Sequence, residues 1–376
     1  MAWKTWRVVV ASVSLLTACG DDSTSPAQTD STHDAGAAAD GDKPTAKPTK
    51  ADSGQPQAHD NPGPVVHADG GVSGDLPSSS DASVPSTTLS DACDYSMQTV
   101  KLTADLVVPP GETVHVCPGT TFTASGDVKI DVLGALIVDG SADAPVHFTG
   151  TSSAPRSWHG IVIERGGNLK LTHGTISGAI YGMYAMAGSD FTVDHATLDT
   201  SFKSAIVYSN GSFAHTKFEA APPPTIAITD AVSVDDPNGT LTIIDASPTI
   251  SNSEFDGASI VTDVVRVGGQ SSPTFDHVYL HGAHCGFHTS GGTNTSMHVT
   301  NSVFDGLIYG IMAYATKPII EDSVFKMNST DVGVCSGASA DNAPVLKNNS
   351  YSSGSPVLEA SCFMVGTTDP SPAATP

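Results

Sequence analysis

The chain has 376 residues, of which 39% are hydrophobic, and a formal net charge of −23 at pH 7. Only 16 Lys and Arg residues stand against 39 Asp and Glu residues. This balance argues against nucleic acid as a partner, because a phosphate backbone is bound by clusters of Lys and Arg.

The first nineteen residues have the pattern of an export segment. Lys4 and Arg7 precede the apolar run VVVASVSLL, which is followed by Thr-Ala-Cys ending at Cys19. The run is shorter than the ~18 residues that a membrane span needs. The segment resembles a bacterial lipoprotein signal peptide, which implies cleavage before Cys19, a diacylglycerol anchor on its sulfur and a place in the cell envelope. Gly20 in the next position favours the outer membrane, and a plain secretory signal or a short transmembrane anchor is the alternative.

The composition divides the rest of the chain into three parts. Residues 20–92 are rich in Asp, Ser, Thr, Ala, Pro and Gly and poor in large apolar residues, which predicts a disordered linker because such a segment buries too little surface to fold. Residues 93–365 carry the apolar patterning of a folded domain. Residues 366–376 are predicted to be a flexible tail.

The domain contains an internal repeat. THGTISGAIYGMYAM at residues 172–186 is echoed by TNSVFDGLIYGIMAY at residues 300–314. More widely, eight segments share an apolar residue, a His, Asn or Asp two positions later, and a second apolar residue three positions further on. The first apolar positions are Leu171, Val193, Phe213, Ile250, Phe275, Val299, Ile320 and Leu346, and the second are Ile176, Leu198, Phe218, Phe255, Leu280, Phe304, Phe325 and Tyr351.

The spacing of the repeat predicts an all-β solenoid. Successive copies are 20 to 37 residues apart, and the apolar residues alternate with polar ones, as in short strands. Such strands bury their apolar residues only if each copy makes one coil that stacks on the previous coil. Together with the phrase WHGIVIERGGNLKLTHGTIS at residues 158–177, the repeat resembles the right-handed parallel β-helix proteins of the pectin-lyase-like superfamily. The resemblance implies about ten coils and three narrow parallel sheets, with a β-propeller or sandwich as the alternative.

The middle position of the repeat is predicted to be a tight corner. It is occupied by His173, His195, His215, Asn252, His277, Asn301, Asp322 and Asn348. Asn, Asp and His are enriched in left-handed backbone conformations, so a backbone role is favoured over a stack of metal ligands.

The cysteines allow more than one disulfide arrangement. In an oxidising compartment Cys93 and Cys117 could close the first ordered segment, and Cys335 could pair with Cys362. That arrangement leaves Cys285 free, and a bridge from Cys285 to Cys335 is the alternative.

The residue after the second apolar position offers a candidate catalytic set. On three consecutive copies it is Asp256, His281 and Asp305, and neighbouring carboxylates are what glycoside hydrolysis needs. A following Gly also makes these positions ordinary turns, and the turn interpretation is favoured. The complete catalytic motifs of polygalacturonase-like and pectate-lyase-like enzymes are absent from the sequence, where Asp235, Asp236 and the pair Asp263 and Arg266 are the only fragments.

Two segments raise the question of a metal. HGAHCGFH, from His281 to His288, holds three imidazoles and Cys285, types that suit zinc or copper, but its spacing favours structural use. The acidic segment DDPNG at residues 235–239 contains possible calcium ligands, but it is better explained as a turn, because it matches no known calcium-binding loop. The sequence therefore predicts no cofactor, with calcium as a weak alternative.

One outward face is the predicted binding surface. If Met183, Phe287 and Ile311 point inward, strand alternation points the next residues outward. The predicted surface contains Tyr184, Met186, Arg266, His288, Met312 and Tyr314, with the register of Tyr208 uncertain. Aromatic, Met and Arg side chains could stack on sugar rings or contact a protein.

The parts combine into a functional hypothesis. A lipid anchor, a flexible linker and a repeat without a complete catalytic set predict a noncatalytic envelope lipoprotein that binds a polysaccharide or an envelope protein. The alternative is a polysaccharide lyase or glycoside hydrolase of the pectin-lyase-like class that uses Asp256, His281 and Asp305.

Overall fold

The computed structural model describes residues 93–221, 240–290, 295–314, 316–335, 343–359 and 366–367. The predicted signal peptide with Cys19, the linker, DDPNG and Cys362 lie outside these residues. Within the described ranges no helix is long and apolar enough to cross a membrane.

The described residues form two parallel sheets of short strands, numbered β1 to β31 in chain order. The eleven-stranded sheet, here called face 1, contains β3 (Thr113–Val116), β6 (Ala135–Asp139), β9 (Asn168–Thr172), β12 (Asp190–Asp194), β15 (Ser212–Ala214), β18 (Thr249–Ser251), β20 (Thr274–Asp276), β22 (His298–Thr300), β25 (Ile319–Glu321), β28 (Val345–Lys347) and β31 (Gly366–Thr367). Each of these strands pairs with the equivalent strand of the next coil.

The twenty-stranded sheet covers the two other sides of the solenoid. Face 2 contains β1 (Thr99–Lys101), β4 (Thr121–Ala124), β7 (Val146–Gly150), β10 (Gly174–Ser177), β13 (Thr197–Asp199), β16 (Lys217–Glu219), β23 (Val303–Asp305), β26 (Val324–Lys326) and β29 (Ser350–Tyr351). Face 3 contains β2 (Leu106–Val108), β5 (Lys129–Val132), β8 (Trp158–Ile163), β11 (Ala179–Ala185), β14 (Lys203–Val207), β17 (Leu241–Ile244), β24 (Tyr309–Tyr314), β27 (Thr330–Cys335) and β30 (Leu358–Glu359).

Two long strands join faces 2 and 3. β19 (Glu254–Gly268) and β21 (Tyr279–Thr289) continue around the corner without interruption. The three predicted sheets are therefore present as three faces, of which faces 2 and 3 belong to one sheet, because the backbone pairing of these two strands passes through the corner with register shifts. The parallel solenoid itself is confirmed, and the propeller and sandwich alternatives are excluded by the coil-to-coil parallel pairing.

The repeat predicted the core correctly. On face 1 the first apolar positions pair in an unbroken series, with Phe275 opposite Val299 and Val299 opposite Ile320. On face 2 the second apolar positions pair in the same way, with Phe304 opposite Phe325. Apart from the partly buried Tyr351 in the last pair, these side chains are at most 1% exposed, and each buried large apolar side chain contributes roughly 1.5 to 3 kcal/mol to folding.

The corner prediction is confirmed at every copy. All eight His, Asn and Asp residues at the middle position have φ between 46° and 54°, the left-handed region that such side chains tolerate better than branched ones. Three of the imidazoles also stack along the corner, with ring centroids 4.7 Å apart for His173 and His195 and 4.4 Å apart for His195 and His215. The two latter rings each place Nδ1 2.9 Å from Asp194 Oδ1.

The first predicted disulfide is present. Cys93 and Cys117 are bonded and link the first described residues to the end of the first coil. Cys285 is buried and is not in a disulfide bond, so the alternative bridge to Cys335 is not formed. The pairing of Cys335 with Cys362 stays a prediction.

Candidate functional site

The first candidate site lies on face 2. Asp256, His281 and Asp305 occupy one column of paired residues on three consecutive coils. His281 Nδ1 is 3.8 Å from Asp256 Oδ1, and Asp256 Oδ1 also accepts a hydrogen bond from the Ala258 N–H at 2.9 Å. The structure thus brings the three predicted residues together, while Asp256 also makes the local turn contact that favours a structural role.

The neighbouring column adds residues that the sequence argument did not include. His281 Nε2 lies 3.2 Å from Glu254 Oε1, and the Tyr279 hydroxyl donates a hydrogen bond to Asp305 Oδ2 at 3.3 Å. Glu254 and Tyr279 each stand two positions before a predicted site residue, so strand alternation could have placed them on the same face. These five residues, Glu254, Asp256, Tyr279, His281 and Asp305, are called the acid–histidine cluster below.

The electrostatics of this cluster are dominated by carboxylates. Partial burial and then the negative charge of Asp305 raise the pKa of the Tyr279 phenol. A hydrogen bond to Glu219 raises the pKa of Lys217, whose ammonium lies 3.1 Å from Glu219 and 3.6 Å from Glu254. The local charge therefore repels polyanions and tolerates neutral ligands.

The second candidate site is a shallow cavity on face 3, on coils nearer the N-terminus. Its volume is about 300 Å³ and it is lined by Arg165, Tyr184, Met186, Ala187 and Tyr208; it is called the tyrosine cavity below. The ring centroids of Tyr184 and Tyr208 are 5.8 Å apart. Tyr184 and Met186 were predicted on this side, the register of Tyr208 was left open, and Arg165, which is outside the strands, was not predicted.

The aromatic surface extends beyond the cavity lining. The Tyr181 ring makes an edge contact with Tyr184 at 5.5 Å and with His159 at 5.8 Å. Rings fixed edge to face by their neighbours lose little conformational entropy when a ligand stacks on them.

Four of the predicted outward residues, Tyr184, Arg266, His288 and Met312, lie in one column of paired positions on successive strands. Tyr184 pairs with Ile206, Arg266 pairs with His288, and His288 pairs with Met312. Ile206 and Met312 are each 2% exposed, so the column is not the flat open stripe that the sequence predicted. Met312 offers no surface to a ligand, because its sulfur accepts a contact from the Tyr314 hydroxyl at 3.5 Å and its side chain is covered.

A third group of side chains meets at the corner of β19 and β21. Asp263 lies opposite Cys285 in the ladder, beside a register shift, and its side chain is 6% exposed. Asp263 Oδ1 is 3.2 Å from His284 Nδ1, and Asp263 Oδ2 is 2.7 Å from His288 Nδ1. Cys285 Sγ is 3.2 Å from His284 Nδ1. Asp263, His284, Cys285 and His288 are called the Asp263 cluster below.

The Asp263 cluster contains three of the four donors of HGAHCGFH. His281 is on face 2 in the acid–histidine cluster, as the corner at Gly282 predicted, while His284, Cys285 and His288 follow the corner. Asp263 was missed as their partner because it comes from the preceding coil. Its distance of 22 residues from Cys285 is close to one repeat, but Asp263 occupies no position of the repeat pattern, because the register shifts just before it.

Opposing effects act on the pKa of Asp263. Burial by itself raises the pKa of this carboxyl, but hydrogen bonds from His284 and His288 outweigh burial, and the pKa lies well below the ordinary value. The nitrogen and sulfur atoms around this buried carboxyl group therefore favour its ionised form.

Comparisons with known proteins return similarities of fold. No known protein family and no curated protein matches the sequence. Among solved structures, the A-module of the mannuronan C-5 epimerase AlgE4 of Azotobacter vinelandii is similar with a TM-score of 0.31 and 10% identity, over 73% of this chain and 91% of that chain. An alginate lyase from Paenibacillus sp. str. FPU-7 is similar with a TM-score of 0.28 and 12% identity, over 72% of this chain and all (100%) of that chain.

Proposed function

We propose that the solenoid binds a polysaccharide on face 3 without cleaving it. The observation that carries the proposal is the tyrosine cavity, in which the tyrosine rings of two adjacent coils line one opening together with Arg165. Flat aromatic rings stack on the C–H faces of sugars, and a guanidinium donates hydrogen bonds to hydroxyl or carboxylate groups. An open cavity suits a chain that passes through it better than a small molecule that must be enclosed.

Replacing Tyr184 with alanine is the test of this function. We expect the affinity for a bound polysaccharide to fall at least about tenfold, which is about 1.4 kcal/mol, because the variant loses the central ring of the surface. Affinity electrophoresis or calorimetry against a panel of neutral and uronic-acid polysaccharides measures the effect.

The matched control is Tyr279→Ala, because Tyr279 is 38% exposed and lies on face 2. We expect this variant to bind as the unmodified protein does. Loss of binding in Tyr279→Ala with retention in Tyr184→Ala would move the site to the acid–histidine cluster. Absence of binding across the panel would argue against a polysaccharide and leave an envelope protein as the ligand of the cavity.

A second candidate function is polysaccharide cleavage at the acid–histidine cluster. Asp256 and Asp305 are two coils apart in one column, a separation of roughly 10 Å at ~4.8 Å per coil, close to the upper limit for inverting glycoside hydrolases. The excess of carboxylates favours hydrolysis of a neutral polysaccharide over lyase action on a uronic-acid polymer.

If the chain cleaves polysaccharides, Asp305→Asn is expected to lower turnover by on the order of 100-fold or more. The measurement is release of reducing ends, or of unsaturated ends for a lyase. Asp322→Asn is the matched control, because Asp322 has the same charge, stands at a corner with φ of 51° and tolerates Asn there. Equal turnover in both variants would argue against a catalytic role for Asp305.

We also propose that the protein is attached to the cell envelope through lipid on Cys19, with the outer membrane as the favoured site. The order of basic residues, apolar run and cysteine in the sequence supports the proposal. Cys19→Ser should move the protein from the detergent phase to the aqueous phase in detergent partitioning. Recovery of the unmodified protein in the aqueous phase would argue against the anchor.

A further inference from the structure

In the Asp263 cluster two neighbouring coils bring oxygen, nitrogen and sulfur donor atoms close together. The carboxylate comes from β19, and the two imidazoles and the thiol come from β21. The donor atoms of Asp263, Cys285 and His288 all lie within 4.8 Å of one another. His284 Nδ1 adds a fourth donor, 3.2 Å from both the carboxylate and the sulfur.

This arrangement is not that of a catalytic triad. In a triad the nucleophile and the carboxylate contact opposite nitrogens of one imidazole, so that the proton passes across the ring. Here the sulfur and the carboxylate both contact Nδ1 of His284. A single nitrogen with at most one proton cannot serve both partners in that way.

The separations fit donors that share a cation. With bond lengths of ~2.0 Å to nitrogen or oxygen and ~2.3 Å to sulfur, tetrahedral geometry puts two ligands about 3.3 to 3.6 Å apart. The two contacts of His284 Nδ1 measure 3.2 Å, which is about 0.1 Å shorter than this for the oxygen and about 0.3 Å shorter for the sulfur. The contact between Asp263 Oδ2 and His288 Nδ1 measures 2.7 Å and would have to lengthen if an ion replaced the proton between them.

We propose that Asp263, Cys285 and His288, with His284 as the fourth donor, form a binding site for zinc or a similar borderline-soft divalent cation. Nitrogen and thiolate ligands select such ions, whereas calcium requires six to eight oxygens. With His284 as the fourth ligand the ion would have no open coordination position, so it would act structurally and tie β19 to β21 at the corner where their register shifts.

The surroundings of the cluster are suited to hold the imidazoles in place. The His288 ring stacks on Tyr314 with centroids 5.2 Å apart, and the His284 ring makes an edge contact with Tyr309 at 5.5 Å. Both contacts limit ring rotation, as outer contacts of metal-binding histidines do. The His288 side chain is 14% exposed and that of His284 is 19% exposed, which leaves a path for the ion from solvent.

The test is titration of the full mature chain with Co²⁺ after removal of metals by a chelator. We expect one tightly bound Co²⁺ per chain and a near-ultraviolet absorption band from sulfur-to-cobalt charge transfer. Cys285→Ser should abolish that band, and Asp263→Asn should weaken binding at least about 100-fold, since a ligand itself is lost. The loaded protein should also melt at a higher temperature than the metal-free protein.

Two controls separate this site from other histidines. His195→Ala alters the exposed group of Asp194, His195 and His215, whose donor atoms also lie within 4.8 Å, and a variant lacking His33, His59 and His67 removes the histidines before residue 93. Both should keep the charge-transfer band. Loss of the bound ion in either control, or its retention in Cys285→Ser and Asp263→Asn, would overturn the proposal.

A measurement on the unmodified protein does not depend on whether the variants fold. X-ray absorption of the zinc-loaded unmodified protein should show one sulfur at about 2.3 Å and three nitrogen or oxygen atoms at about 2.0 Å. A spectrum without sulfur, or failure of the chain to retain stoichiometric zinc, would overturn the proposal. Neither result bears on the tyrosine cavity, so the site stands or falls independently of polysaccharide binding.

Discussion

Replacing Phe304 with alanine is expected to lower the free energy of unfolding by about 3 to 5 kcal/mol. Phe304 is fully buried, its ring lies parallel to that of Phe325 with centroids 4.4 Å apart, and it contacts the edge of Phe287 at 5.8 Å. Truncation removes the middle member of this group and leaves a cavity between coils. Because each coil is stabilised mainly by its neighbours, the loss weakens the stacking on both sides of the substituted coil.

Guanidinium unfolding followed by circular dichroism measures this loss. Val107→Ala is the control, because Val107 is in a face 3 strand but is 48% exposed, and we expect its effect to be under about 0.5 kcal/mol. Similar unfolding midpoints for the two variants would contradict the assignment of Phe304 to a continuous core.

The stacking of Phe304 on Phe325 was predictable, because in a solenoid the residues that stack on one another recur at the same position of each sequence repeat. The two inward residues and the corner between them recur at a fixed offset of two and three positions in every copy, whatever the length of the loops. That offset sets which residues pair, and the pairing of Val299 with Ile320 follows from it. The left-handed backbone at Asn301 is predictable for the same reason, since the chain must turn at the same point of each coil.

The sequence predicted residues of the candidate sites only where those residues occupy a position of the repeat. Asp256, His281 and Asp305 share a column because they share a repeat position. Asp263 follows no repeat position, because the register of β19 against β21 shifts between Ser259 and Asp263. A shift of register changes which face a side chain occupies, and the repeat pattern alone carries no information on where the shift occurs.

The predicted binding residues also differ in burial, and the alternation of side chains along a strand does not predict this difference. Tyr184 and Met312 occupy the same outward column, yet Tyr184 lines an open cavity and Met312 is 2% exposed. Alternation determines the direction of a side chain but not what covers it. The division of the column explains why the proposed ligand site is confined to the coils of Tyr184 and Tyr208.

Replacing Gly160 with alanine is expected to destabilise the protein by more than about 3 kcal/mol, because two costs add. Gly160 has φ of 122°, a conformation that side chains other than glycine rarely adopt. A Cβ atom at this position would also overlap the carbonyl oxygen of Tyr181 in the next coil. Tyr181 adjoins the bulge of β11, so relief of the overlap would have to displace the strand that carries Tyr184.

Gly111→Ala separates the two costs. Gly111 has φ of 81° and no atom within 4 Å of the position of a Cβ, so its substitution carries backbone strain of about 1 to 2 kcal/mol without a steric overlap. We therefore expect thermal and guanidinium unfolding to show a clearly larger loss for Gly160→Ala, up to failure to fold. Equal losses in the two variants would mean that the coils of β8 and β11 are not held as closely as the pairing of Gly160 with Tyr181 requires.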